Sequence, residues 1–179
     1  MGKGTIVLRL LFILTVCTPC SPLPAFDVLI PGSTSAQVYF SPSGNCTEAI
    51  LKMISSAQSE ILVQAFSFSS PAMTDALLQA HVRGVKVALI LDKSERMEGL
   101  TPAAILSNAG IPVYLDGKHA IANNRVILID RRTVMTGSFN FNKASEEMNA
   151  ENLLMLDSKE LSTLYRDNWL HHRQHSEPY

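Results

Sequence analysis

Two apolar, β-rich runs constrain this chain most: Glu60–Ser67 (EILVQAFS) and Val85–Leu91 (VKVALIL). Each is the length of a buried strand and too short for an ordinary helix. Between them Ser70-Pro71 opens a helix, with proline in its first turn and Gly84 just past its end. The same alternation continues on both sides. Gln37–Phe40 reads as a short strand, and Thr47–Ala57 carries apolar residues at Ile50, Leu51, Ile54 and Ala57, the spacing of an amphipathic helix. Pro102–Asn108 reads as a short helix and Ile111–Leu115 as a strand. Arg125–Ile129 and Thr133–Thr136 form a hairpin turning at Asp130-Arg131-Arg132. Asn152–Leu156 is another strand, and a last helix, capped by Asp157 and Ser158, runs towards Arg173. Alternation of this kind predicts an α/β sandwich around a mixed, mostly buried central sheet.

Composition narrows the function. The chain has 179 residues, 46% hydrophobic and 17% charged, with a net charge of −1. That excludes a disordered tail, a fibre and a coiled coil. It also excludes coating nucleic acid by bulk positive charge. Met1–Ala25 has Lys3 and Arg9, an apolar run Leu10–Val16 and a Pro-rich, small-residue end. It reads as a bacterial secretory signal, its apolar run short of a comfortable membrane span, with a retained N-terminal anchor as the alternative; removal leaves residues 26–179 as one domain. The expected destination is periplasmic or secreted. Without Lys3 and Arg9, 15 basic residues become 13 against 16 acidic, a net charge of −3. Cys17 and Cys20 leave with the signal, so Cys46 has no partner for an internal disulfide. The sequon Asn45-Cys46-Thr47 is read as incidental. Met97, Met135, Met148 and Met155 are expected to fill the core.

Chemistry concentrates in Lys118–Glu151. The pattern Asn123-x-Arg125-x4-Asp130-x6-Gly137-Ser138-x-Asn140 resembles the signature of the phospholipase D superfamily, His-x-Lys-x4-Asp followed by Gly-Ser-x-Asn. Its surroundings match too: Val126–Ile129 before the aspartate, Thr136–Phe141, and Asn149-Ala150-Glu151-Asn152. The resemblance is closest to the compact, secreted, single-motif bacterial endonucleases and runs from about Val38 to the last helix. It implies the phospholipase D-like α/β/α sandwich and a metal-independent phosphodiester hydrolysis with no cofactor. It also implies a homodimer with the site on its two-fold axis, each chain supplying one histidine.

The candidate site residues carried over are Asn123, Arg125, Asp130, Ser138, Asn140 and Glu151. The departure lies at the first two, where the family has His and Lys. An imidazole nitrogen has a free lone pair, whereas an amide nitrogen's is delocalised into its carbonyl. Asn123 is therefore neither nucleophile nor proton shuttle. Arg125 keeps the charge and offers a planar fork of donors for phosphate oxygens. Ser138 and Asn140 can donate to phosphate. Glu151, which holds the histidine in the family, is expected to accept from the Asn123 amide, and Asp130 to orient its neighbours. The resulting expectation is a phosphate cradle without its nucleophile, taking DNA or RNA before phospholipid. Lys118, Arg125, Arg131, Arg132 and Lys143 form a local basic group suited to one phosphodiester path.

Three other readings stand beside this one. The chain is an active enzyme using His119, or a binding or assembly module that keeps only the scaffold, or a lipid phosphodiesterase. His119 is read as a loop residue. His171, His172 and His175 are read as cations at a helix C-terminus rather than metal ligands. No Cys/His zinc spacing, Gly-rich nucleotide loop or Ser-His-Asp arrangement occurs.

Overall fold

The computed structural model describes residues 35–96 and 99–179. The expected signal over Met1–Ala25, and Met97, lie outside the described residues. Among the described residues, eight strands form one sheet in the order β1-β7-β6-β5-β2-β3-β4-β8. They are β1 (Ala36–Ser41), β2 (Glu60–Ala65), β3 (Lys86–Asp92), β4 (Val113–Asp116), β5 (Arg125–Ile129), β6 (Thr133–Gly137), β7 (Glu151–Asp157) and β8 (Glu177–Pro178). The helices are α1 (Cys46–Ser56), α2 (Pro71–Val82), α3 (Pro102–Asn108), α4 (Lys143–Glu147) and α5 (Lys159–His175). The β2–β3 and β3–β4 pairs are parallel, because α2 and α3 carry the chain back across the sheet; the other pairs are antiparallel.

The period-2 alternation of each strand sorts its side chains into two cores. Ile61, Val63, Val87, Leu89, Ile127 and Met135 pack with Ile50, Ile54, Leu77 and Leu106 of α1–α3. Leu62, Ile90, Val126, Leu128 and Val134 pack on the other face under Trp169, with Leu161 and Tyr165 of α5 beside them. The Trp169 indole N–H donates to the Val63 carbonyl at 2.9 Å, so its polar edge is satisfied inside the core. The expected α/β/α sandwich is therefore the one observed.

Local signals explain the helix starts. Ser70 accepts from the Met73 amide, Thr101 from Ala104 and Ser158 from Leu161, each capping its helix. Three elements were not expected: a 3-10 turn at Lys93–Glu95, the five-residue α4, and β8, whose proline confines it to the sheet edge. Met135 and Met155 are core residues, but Met148 is 78% exposed. It follows the short α4, which turns it to solvent rather than onto the sheet. Cys46 is fully buried, and burial pushes its thiol pKa up, which leaves it unreactive.

Candidate functional site

Strand direction decides which motif residues meet. β5 runs antiparallel to β2, with Arg125 opposite Ala65 and Ile129 opposite Ile61. Arg125 therefore stands at the C-terminal end of β2, and Asp130 lies beyond the opposite end. β6 runs back beside β5, pairing Thr136 with Val126, which returns Gly137, Ser138 and Asn140 to Arg125. β7 begins at that same end with Glu151 and Asn152. Five of the six expected residues thus gather at one end of the sheet, and Asp130 does not join them.

The gathered residues are already linked. The Arg125 Nε–H donates to Asn140 Oδ1 at 2.8 Å, and Nη1–H to the Asn123 carbonyl at 3.1 Å. Its guanidinium carbon lies 5.9 Å from the centre of the Phe66 ring. These contacts hold the fork in place, and a guanidinium has further N–H donors for an anion. Ser138 accepts from the Asn152 amide at 3.0 Å and from the Asn152 side-chain nitrogen at 3.3 Å. Both bonds use its oxygen and leave its proton to donate. Asn123 is exposed.

Backbone fixes the frame around them. The Ser138 and Phe139 amides both donate to the Asn152 carbonyl. Gly137, at φ 154°, lies so close to that carbonyl that a Cβ would sit 2.2 Å from its oxygen, which only glycine accommodates. Phe141 accepts from the Ser69 and Ser70 amides, and its ring meets Phe68 edge-on at 6.2 Å. The Asn124 carbonyl accepts from Phe66, and Ala122 N–H donates to Asp92 Oδ2 at 2.7 Å. Asp92 is held below its usual carboxylate range: burial opposes this, and bonds from Ser94 and Ala122 outweigh it.

Two expectations need correction. Glu151 accepts from the Asn149 side chain at 3.1 Å and the Ser145 hydroxyl at 3.4 Å, not from Asn123. The reason is α4, whose Asn142 cap and Glu146–Thr47 amide bond set Ser145 over the carboxylate. The basic group also divides. Arg131 and Arg132 lie at the Asp130 end, paired with Glu60 and Asp157, and Lys143 pairs with Glu147. Of that group, Arg125 is the residue that the structure joins to Asn123 and Asn140. Asp130 itself is a clamp, accepting from the amides of Gln58, Ser59 and Glu60 and from the Ser59 hydroxyl. Those donors hold its carboxyl below the usual range against the effect of burial.

Sequence reasoning missed a second polar cluster. His119, His172 and His175 converge on Asp116, which is fully buried at the end of β4. Burial acts to raise the Asp116 pKa, and the three imidazoles outweigh it, holding the carboxyl well below the usual range. Nothing in the spacing signals this, because Asp116 lies 56 and 59 residues before His172 and His175.

With the geometry in place, likeness to known proteins becomes informative. Residues 50–172 match the family model described as cardiolipin synthase, PLD-like domain. The chain belongs to the phospholipase D superfamily. Among curated relatives, a phospholipase D of Rickettsia felis is 40% identical over 75% of this chain and 67% of its own length. The mouse mitochondrial cardiolipin hydrolase is 26% identical over 79% of this chain and 64% of its own. The chain thus spans about two thirds of the curated relatives it matches. Among solved structures, the phospholipase D family member Nuc from Salmonella typhimurium superposes with a TM-score of 0.76 at 34% identity, covering 82% of this chain and 98% of Nuc. The chain therefore carries the phosphodiesterase scaffold of the phospholipase D superfamily, close to Nuc-like members.

Proposed function

We propose that this phospholipase D-superfamily chain binds nucleic-acid phosphodiesters as a homodimer, and that its own hydrolytic step is slow or absent. The observation that carries the reading is the preassembled cradle around Asn123. Arg125, held by Asn140, presents its fork, and Ser138 keeps a proton to donate, while position 123 carries an amide where the family carries an imidazole. Nucleic acid is preferred over lipid because the motif resembles the small secreted endonucleases and the fold covers nearly all of Nuc. A periplasmic or secreted location fits the sequence of Met1–Ala25.

Binding is the direct test. A fluorescent oligonucleotide should bind in EDTA with salt-dependent affinity, and Arg125→Ala should weaken it about tenfold, the effect of losing one charge-assisted phosphate contact. Unchanged binding in Arg125→Ala would remove the cradle. Capture by anionic phospholipid vesicles but not by the oligonucleotide would move the substrate class to lipid.

The dimer has its own support. In β1, Val38 and Phe40 are 52% and 64% exposed, and they pair with Leu154 and Asn152 of β7. Alternation places them on the sheet face that α5 covers at Val134, out beyond that cover and next to the strand carrying Asn152, the Ser138 partner. An exposed apolar pair on an edge strand beside the site suits a protein contact. Phe40→Glu should convert a dimer to a monomer in light scattering at micromolar concentration, with the far-UV circular dichroism unchanged. A wild-type chain that is already monomeric would remove this part of the reading.

A further inference from the structure

We propose that Asp116, His119, His172 and His175 form a zinc site that fixes the segment leading into Asn123. The four residues come from three places: the end of β4, the turn that follows it, and the last turn of α5, where His172 and His175 are three apart on one face. One ligand atom from each lies within 4.8 Å of the others. Asp116 Oδ2 is 2.9 Å from His119 Nδ1, 2.8 Å from His172 Nδ1 and 3.4 Å from His175 Nε2. A tetrahedral zinc with bonds of ~2.0–2.1 Å has ligand-to-ligand edges of roughly 3.3 Å, so small shifts would admit the ion.

The donor chemistry favours a cation over a simple hydrogen-bond network. Three ring nitrogens face one carboxylate oxygen, more N–H donors than its two lone pairs accept well. The ring centres are 5.0, 5.2 and 5.3 Å apart, so protonating them together would crowd positive charge. With zinc between them, the imidazoles turn lone pairs rather than protons inward, and the buried carboxylate offsets part of the ion's charge. Three imidazoles and one carboxylate complete four-coordination from protein alone, the pattern of a structural site.

The surroundings are built to hold these ligands. Asp116 Oδ1 accepts from the Lys118 amide at 3.1 Å and also lies 3.1 Å from His119 Nδ1, while Oδ2 faces all three imidazoles. β4 is paired on both sides, by β3 and β8. Arg173 lies 3.5 Å over the Tyr114 ring, and Ser176 Oγ–H donates to the His172 carbonyl at 2.8 Å, so α5 is fixed against β4. The His119 side chain is 44% exposed, which gives an ion a way in. From His119 the chain runs through Ala122, bound by Asp92, to Asn123. The ion therefore positions that segment and takes no part in phosphodiester chemistry.

The test uses the purified chain, stripped with chelator and dialysed. It should take up one equivalent of Zn2+ in competition with a chromogenic chelator. Co2+ in its place should show the intense visible absorption of tetrahedral coordination. One equivalent of Zn2+ should also raise the Tm by several degrees. His175→Gln and His119→Gln should each weaken Zn2+ binding about 100-fold and abolish the Co2+ spectrum. His119→Gln changes a half-exposed side chain, so it keeps the test open if variants on α5 fail to fold. Substoichiometric binding, an unchanged Tm, or variants that bind Zn2+ as well as the parent would overturn the proposal and leave a hydrogen-bonded His–Asp cluster.

Discussion

The Asn123→His, Arg125→Lys double variant should nick supercoiled plasmid DNA in EDTA at least 10²–10⁴-fold faster than the parent chain, the range that a positioned nucleophile or proton shuttle contributes. On the proposed reading, the parent chain lacks a nitrogen lone pair at position 123. Its frame is present: Asn140 fixes residue 125, Asn152 fixes Ser138, and Ser145 and Asn149 fix Glu151. An imidazole at position 123 would stand exposed at the same end of the sheet as these groups. If two chains share the site, restoring one position restores both the attacking group and the general acid. EDTA removes the divalent ions that contaminating nucleases need. A parallel arm with Zn2+ and no EDTA controls for loss of an ion from the Asp116 cluster. A folded, dimeric double variant with no activity in either arm would overturn the assignment of the nucleophile position. Equal activity in parent and variant would show that another group attacks. His119, whose Nδ1 meets Asp116 while Nε2 is its other ring nitrogen, would then be the first residue to replace.

Asp130→Ala should cost about 2–3 kcal/mol of stability, since it leaves the Gln58, Ser59 and Glu60 amides without their acceptor. For a chain of this size that lowers the Tm by roughly 5–10 °C. The loss should have an acid signature. The folded-state pKa of Asp130 lies below the unfolded value, so its contribution is full above about pH 5 and fades as pH falls towards the lower folded value. Asp130→Asn should therefore flatten the acid limb of the stability curve as well as lower it at neutral pH. An Asp130→Ala chain with parental Tm and an unchanged acid limb would show that the clamp does not hold the α1–β2 turn. Oligonucleotide binding by the folded fraction should be close to parental, because Asp130 stands at the other end of β5 from Arg125.

The sheet was legible because its strands are continuous apolar runs with few alternatives. EILVQAFS and VKVALIL pack on both faces, and Arg125–Ile129 became β5 without adjustment. Helices with a Ser or Thr cap and a following proline, α2 and α3, were equally plain. α4 was hidden because five residues hold too little periodicity, and β8 because proline argues against a strand. The motif named the right residues but not their neighbours. Glu151 was assigned to Asn123 because the family links those positions, and only the folded α4 shows Ser145 in the way. The basic group looked continuous because a chain position does not reveal which end of a strand it occupies. The Asp116 cluster was the deepest omission: its members are joined by the packing of α5 on β4, a relation absent from any local window.

The reversal of β5 splits one linear signature into two independent traits. Residues 123 and 125 stand at the end of β5 that carries the proposed cradle, and Asp130 at the end where it ties down the α1–β2 corner. A chain that gave up hydrolysis would still need the corner, so an intact aspartate reports architecture rather than chemistry. Counting that aspartate towards activity would credit the fold with what only the residues at the other end of the strand can do.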